Sequence, residues 1–185
     1  MKGRHVHVDL IRDEAATMPA FPNPSAVRSL KLWFCKYKTL ASLSALRRLQ
    51  TLVIAGFPDA GLEILGGCSE LRYLQIVHLP HIFDLSPLSD LQALEILSLE
   101  TLPSWDAGGK VTKVRSLAPL TGLTNLKYLS LFGIVPDDRS LAPLEECRGL
   151  VSARFSKYPK SEVARFYGAT ALSDAHVPEP VFDGG

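Results

Sequence analysis

The histidines are the residues of this sequence that could bind a metal ion. His78 and His81 flank Leu79-Pro80, a pair that predicts a bend and not a helix, while His5 and His7 share one face of a short alternating segment. No cysteine, aspartate or glutamate completes either pair at a recognised zinc spacing. We therefore predict no metal site and no cofactor, and interpret His78 and His81 as surface residues in turns.

The three cysteines could supply a nucleophile or a disulfide. An odd number without a CxxC pair argues against a disulfide framework and against a zinc ribbon. Cys68 and Cys147 fall at positions that leucine holds in related segments, so we expect buried thiols, whereas a catalytic cysteine must be an exposed thiolate. The GxSxG, GxxxxGK and HExxH motifs are absent from the sequence. The sequence therefore predicts no enzyme and no catalytic residues.

Composition and charge narrow the class of protein. The 185 residues are 46% hydrophobic and 21% charged, and the formal net charge is +1, as expected of one globular domain. Nucleic-acid-binding proteins usually carry a strong basic excess. The N-terminal region lacks the apolar core of a signal peptide, and no apolar run has the length of a membrane span. We therefore expect a reduced, cytoplasmic protein without a membrane partner.

Leucine recurs along the chain in two ladders. The strand ladder steps by three residues and then by two, in six copies: Val27-Leu30-Leu32, Leu49-Leu52-Ile54, Leu71-Leu74-Ile76, Leu94-Leu97-Leu99, Leu126-Leu129-Leu131 and Leu150-Ala153-Phe155. The arm ladder steps by three, in five copies: Leu40-Leu43-Leu46, Leu62-Leu65-Cys68, Leu85-Leu88-Leu91, Leu117-Leu120-Leu123 and Leu141-Leu144-Cys147. Neither the helical nor the strand period fits these series throughout. They predict coils of one strand and one return arm, which stack because a single coil cannot close a core.

The ladders resemble those of leucine-rich repeat proteins, and most closely the repeat of about 22 residues found in bacterial internalins. The stretches LSPLSDLQALEILSL and LAPLTGLTNLKYLSL carry the resemblance, which covers about residues 27–158. It implies an α/β fold, a right-handed leucine-rich repeat solenoid with a parallel concave β-sheet. Pro87, Pro119 and Pro143 and the step of three predict short 3-10 or irregular segments on the convex side.

The sequence departs from the family at one position of each repeat. The asparagine that internalins place after the strand is replaced here by Cys35, Phe57, Leu79, Leu102, Ile134 and Tyr158. Proline follows in four of these six cases, at Pro58, Pro80, Pro103 and Pro159. We therefore expect apolar side chains inside the bend, and backbone hydrogen bonds from the bend to water or to neighbouring coils.

The chain divides into three predicted parts. Residues 1–25 form a capping strand and an arm, residues 26–158 form six repeats, and residues 159–185 form a C-terminal cap and tail, with Ser161 as the helix cap. The fourth repeat is lengthened by an insertion at 103–116, in which Gly108-Gly109 predicts a turn or flexible tip. The final PEPVFDGG is expected to be loosely held.

Side chains between the ladder residues must point out of the sheet, onto what we call the concave face. They form three rows across the strands. The first row is Ser29, Thr51, Tyr73, Ile96, Tyr128 and Ser152; the second is Lys31, Val53, Gln75, Ser98, Ser130 and Arg154; the third is Trp33, Ala55, Val77, Glu100, Phe132 and Ser156. These rows are richer in apolar and aromatic residues than a solvated face, which indicates a contact surface. The alternative is that such residues merely suit a sheet, or that the N-terminal arm or the insertion folds over them.

We therefore predict a non-catalytic scaffold that recognises a protein or peptide through the concave face and the 103–116 loop. The predicted partner-binding residues are Lys31, Trp33, Val53, Tyr73, Gln75, Val77, Ile96, Glu100, Trp105, Tyr128, Phe132 and Arg154, with Trp105 at the rim. One alternative is a structural module that self-associates through the same face. Another is nucleic-acid binding, since the first repeat is basic and carries Trp33 and Phe34, although acidic residues balance it elsewhere.

Overall fold

The structure is a computed structural model and describes residues 5–182. In this range, strands and turns alternate and stack into a solenoid. Seven parallel strands form one sheet in the order β1-β2-β3-β4-β5-β7-β9, and β6 and β8 form a second, two-stranded sheet. The strands are β1 Val6–Ile11, β2 Val27–Trp33, β3 Thr51–Ala55, β4 Tyr73–Val77, β5 Ile96–Glu100, β6 Thr112–Val114, β7 Tyr128–Phe132, β8 Ile134–Pro136 and β9 Ser152–Ser156. The helices are α1 Pro103–Ala107 and α2 Lys160–Thr170.

The strand ladder sets the register of the sheet, as the sequence predicts. Leu52 pairs with Leu74 and Leu74 with Leu97, so equivalent leucines stack along the solenoid axis. The first strand, β1, continues the stack by pairing in parallel with β2. This strand covers the first coil, although residues 1–4 of the predicted capping segment lie outside the described residues.

The return arms are 3-10 turns, as the prolines and the step of three predict. Five turns of five residues occupy Ala41–Ala45, Glu63–Gly67, Ser86–Asp90, Ala118–Gly122 and Ala142–Glu146. The middle leucine of each arm is buried, because a 3-10 turn brings every third side chain to the same side. Strand and arm leucines together fill one continuous core, whose buried residues extend from Met18 to Phe166.

The bends contain apolar side chains in place of an asparagine ladder. Phe57, Leu79 and Ile134 are buried there, and the Tyr158 hydroxyl donates a hydrogen bond of 2.8 Å to the Ile134 carbonyl. Backbone amides of the bends donate to the next coil, as Gly56 does to Val77 at 2.7 Å and His78 to Glu100 at 2.7 Å. The predicted bonds to neighbouring coils are therefore present.

The insertion at 103–116 is ordered by pairing and is not a simple flexible tip. Pro103 begins the short helix α1, and Gly109, with a φ of +70°, follows it. The chain then forms β6, which pairs in parallel with β8. The insertion thus has its own two-stranded sheet beyond the carboxyl ends of the main strands.

Helix α2 closes the C-terminal end of the core. Phe166 is fully buried, and Val163 and Tyr167 pack beside it, as the sequence predicts. The helix begins after Pro159 and not at Ser161, which lies in the first turn and does not cap it. The prediction that Ser161 is the cap is therefore wrong, since Pro159 ends the preceding bend and its fixed φ starts the helix two residues earlier.

Candidate binding surface

The register of the sheet brings the three predicted rows together. Tyr73, Ile96 and Tyr128 are direct partners on β4, β5 and β7, and the second and third rows follow in the same register. Neighbouring parallel strands lie about 4.8 Å apart, so each row is a line of adjacent side chains. The rows are therefore real features of the concave face.

Much of the first two rows is covered. Tyr73 is 7% exposed and Val53 is 2% exposed, while Ile96 and Tyr128 are half-buried. Ser98 and Ser130 in the second row are also buried. These residues point out of the sheet but are not free to contact solvent. Of the predicted partner-binding residues, Tyr73 and Val53 are thus inaccessible in this state of the molecule.

The cover is residues 173–182, which we call the strap. It starts beside β9, where Ser173 forms a parallel bridge with Ser152. The Ala153 amide donates to the Ser173 carbonyl at 3.2 Å, and the Ser152 hydroxyl donates to the Ala175 carbonyl at 2.7 Å. The start of the strap is therefore bonded to the last strand of the sheet.

The far end of the strap lies at the other side of the sheet. The Thr51 hydroxyl on β3 donates to the Val181 carbonyl at 3.1 Å, and the ring of Phe182 lies 4.7 Å from that of His7 on β1. Nine steps of extended chain span about 30 Å, and the six strand intervals from β9 to β1 span about 29 Å. The strap therefore crosses the whole sheet in an extended conformation, transverse to the strands. This differs from the loosely held tail that the sequence predicts.

A small polar cavity of about 180 Å³ remains between the strap and the sheet. Inside it, the carboxylate of Glu100 accepts hydrogen bonds from Ser98 at 2.6 Å and from Gln75 at 3.1 Å. Burial, followed by the charges of Glu179 on the strap and Glu100, raises the pKa of Tyr73. Tyr73 is therefore a neutral phenol at physiological pH. The remaining lining comes from Ser130, Phe132, Arg154, His176, Val177 and Pro178.

The third row remains partly open at the carboxyl ends of the strands. The Lys31 ammonium lies 5.1 Å from the centre of the Trp33 ring, and the Arg154 guanidinium lies 5.2 Å from that of Phe132. Within residues 5–182, neither Lys31 nor Arg154 has an acidic partner in ion-pair distance. These cations are held over aromatic faces and remain available to a carboxylate from outside.

The insertion places Trp105 beyond the end of the third row. Its ring packs edge to face on His78 with 4.8 Å between ring centres, and Lys110 lies 5.7 Å from the Trp105 ring. Burial, followed by the charge of His81, lowers the pKa of His78, which favours the neutral ring. Trp105 therefore rests on a neutral aromatic partner at the edge of the concave face, and α1 holds it there.

The basic residues of the first repeat do not form one open patch. Arg28 is buried and donates to the Ser25 and Arg48 carbonyls. Lys36 pairs with Glu14, and Arg48 pairs with Glu70. The phosphate groups of a nucleic acid would have to displace these partners in order to bind the cations.

In residues 5–182, no three His, Cys, Asp or Glu side chains are close enough to hold a metal ion. Cys68 and Cys147 are buried, and burial raises the pKa of each thiol to about 11. No helix in this range is long and apolar enough to cross a membrane.

Sequence reasoning missed the strap residues. Val177, Val181 and Phe182 lie in a short polar tail whose only signal was Pro178 and Pro180, which favour an extended chain. Among the half-buried predicted residues, Lys31, Trp33, Phe132 and Arg154 pair up on the concave face as described.

No protein-family model matches the sequence, and the search of curated proteins found no similar one. Two solved structures of Listeria monocytogenes proteins are similar. Internalin F shares 20% identity with a TM-score of 0.52, over 82% of this chain and 47% of its own. Internalin C2 shares 19% identity with a TM-score of 0.48, over 82% of this chain and 71% of its own.

The similarity to internalin F agrees with the parallel sheet and 3-10 arms described above, and at this level of identity it concerns the fold. This chain spans about half of the length of internalin F. The chain therefore has the leucine-rich repeat solenoid fold of the internalins.

Proposed function

We propose that this protein is a non-catalytic scaffold that binds another protein or a peptide through the concave face and the 103–116 insertion. The observation that carries the proposal is the presence of two cation–aromatic pairs on the sheet, Lys31 with Trp33 on β2, and Arg154 on β9 with Phe132 on β7. Tryptophan, tyrosine and arginine are the residues that contribute most to binding at protein interfaces. Two such pairs held on one sheet suit recognition.

The size of the surface supports a contribution from the insertion. The exposed part of the sheet offers a few hundred Å², whereas a standard interface buries about 800 Å² on each partner. Trp105 and Lys110 extend the third row beyond the strands. A protein partner therefore uses both surfaces, while a short peptide uses the sheet alone.

The alternatives gain less support. Self-association through two concave faces requires displacement of both straps, since residues 173–182 cover the first row. Nucleic-acid binding would have to rely on Lys31, Lys38 and Arg47, since Arg28, Lys36 and Arg48 have partners. The net charge of +1 gives no basic excess for such binding. We place the scaffold in the cytoplasm because Cys35, Cys68 and Cys147 are free thiols, which a reducing compartment preserves.

Selection from a peptide-display library against the full chain tests the proposed function. We expect the selected ligands to lose at least about tenfold in affinity on Phe132→Ala or Trp105→Ala, because each removes a large contact residue. Val151→Ala is the matched control, since this apolar side chain is 54% exposed and belongs to none of the three rows. Ligands that bind all three variants as well as the wild type would overturn the proposal.

A further inference from the structure

We propose that the concave face takes an extended, proline-containing acidic peptide, and that the strap is an internal competitor occupying the site of that ligand. The inference rests on the proposed function, because it names the class of partner and how access to it is controlled. The strap sequence, SDAHVPEPVF at residues 173–182, is then one example of the peptides that the concave face binds.

The path of the strap shows what the concave face accepts. Residues 173–182 cross from β9 to β1 in extended form, and their length matches the width of the sheet. A helix of ten residues would span only about 15 Å and could not reach both ends. The ligand shape is therefore an extended chain transverse to the strands.

The backbone contacts explain why proline suits this ligand. Hydroxyl groups of the first row, Thr51 and Ser152, donate to carbonyl oxygens of the strap, at Val181 and Ala175. A surface of hydroxyl donors binds the carbonyl oxygens of the peptide. It offers no β-ladder partner to the amide groups of the peptide. Proline has no amide proton to leave unbonded, and it fixes an extended φ at Pro178 and Pro180. Proline-containing chains also lose less entropy on binding.

The side chains supply an anchor and a charge. Val177 is 8% exposed and lines the same cavity as Ser98 and Ser130, two small residues of the second row. Glu179 and Arg154 also line this cavity, but the Glu179 carboxylate contacts His176 of the strap at 3.2 Å and leaves Arg154 without an acidic partner within residues 5–182. An apolar residue followed by proline thus fits this part of the concave face, and the unpaired Arg154 cation favours an acidic ligand.

The strap is held weakly enough to be displaced. Its residues 173–176, 179 and 181 are exposed, and its side-chain anchors are Val177 and Phe182, whereas the core beneath is fully buried. A ligand in solution competes with a covered site, so its apparent dissociation constant equals the intrinsic constant divided by the open fraction. Loosening the strap should therefore strengthen binding of a separate peptide.

Fluorescence anisotropy with a labelled synthetic peptide of residues 173–182 tests this in the full chain. Val177→Gly should release the strap, because it removes the buried apolar side chain and adds backbone freedom. We expect it to bind the peptide at least about tenfold more tightly than the wild type. Ala175→Gly is the matched control, since it adds the same backbone freedom at an exposed strap residue two positions away and should bind like the wild type.

A second substitution tests where the peptide binds. Ser130→Arg, added to Val177→Gly, fills the space beneath the strap and should abolish peptide binding. Phe182→Ala removes the contact of the strap with His7 without changing the concave face, and it repeats the test if Val177→Gly lowers the folded fraction. Equal peptide affinity in the wild type and both released variants, or no binding by any of them, would overturn the inference.

These outcomes are separate from those of the proposed function. If library ligands depend on Phe132 and Trp105 but the strap peptide does not bind, the proposal that the strap is a competitor is refuted and the proposed scaffold function stands. If the strap peptide binds but the library yields no ligand, the proposed scaffold function is refuted, and the concave face binds only the strap of its own chain.

Discussion

The Thr51 hydroxyl donates a hydrogen bond of 3.1 Å to the Val181 carbonyl, across 130 positions of sequence. Thr51→Val keeps the shape of the side chain and removes the donor. We expect a loss of about 0.5–1.5 kcal/mol in the stability of the closed strap, because the carbonyl loses its partner on the sheet. Proteolytic cleavage within residues 177–182 should become faster by roughly threefold to tenfold.

The matched control for this prediction is Thr121→Val. The Thr121 hydroxyl also donates to a backbone carbonyl, that of Ala118 at 2.8 Å, but it lies on a convex arm. Its removal should leave the rate of cleavage in the strap unchanged. Equal acceleration of strap cleavage in both variants would show that the Thr51 bond does not hold the strap.

The contrast between sheet and strap shows what the sequence could predict. Leu52, Leu74 and Leu97 stack in the predicted register because a spacing of three and then two residues leaves one arrangement that buries all of them. Val181 and Phe182 carry no such period. Their contacts depend on distant Thr51 and His7, which no local pattern connects to them.

The insertion was predictable in position but not in structure. An extra length between the fourth and fifth strands of the repeat marks its place, and Pro103 is compatible with a helix start. The pairing of β6 with β8 follows from the left-handed turn at Gly133, which redirects the chain after β7. A glycine after a strand is compatible with many other structures, so this sheet could not be derived from the sequence.

Gly133 and Gly168 are predicted to respond in opposite directions to alanine. Gly133 has a φ of +71°, and a Cβ there would lie 2.4 Å from the Thr101 hydroxyl oxygen. Gly133→Ala should lower the free energy of unfolding by about 2–3 kcal/mol, since it adds strain and a clash. Gly168 lies at an exposed position of helix α2 with open space around it, so Gly168→Ala should raise the free energy of unfolding by about 0.5–1 kcal/mol. Urea unfolding curves measure both, and a Gly133→Ala variant as stable as the wild type would contradict the assigned turn.

The three cysteines should differ sharply in their reaction with a thiol reagent. Burial raises the pKa of Cys68 and Cys147 to about 11, so a fraction of only about 0.001 is thiolate at pH 8. Cys35 is only half-buried, and its Sγ lies 3.1 Å from the Leu10 carbonyl. We expect one thiol to react in the native protein and all three to react in denaturant. The single native reaction should disappear in Cys35→Ser, and two or more rapid native reactions would show that the core positions are open.

Glu162 should make stability depend on pH below the neutral range. Its carboxylate accepts hydrogen bonds from Arg165 and from the Leu141 amide at 2.7 Å, which lower its pKa from 4.5 to about 2. A depressed pKa in the folded state stabilises the fold above pH 4.5, and this contribution is lost as the pH falls from about 4.5 to about 2. Glu162→Gln keeps an acceptor for Leu141 and removes the charge. The variant should therefore be less stable than the wild type at pH 7 by about 1 kcal/mol, after allowance for solvent screening, and equally stable near pH 2. Urea unfolding at pH 7, 4 and 2 measures this difference, and a constant gap across the three pH values would contradict the role of the carboxylate charge.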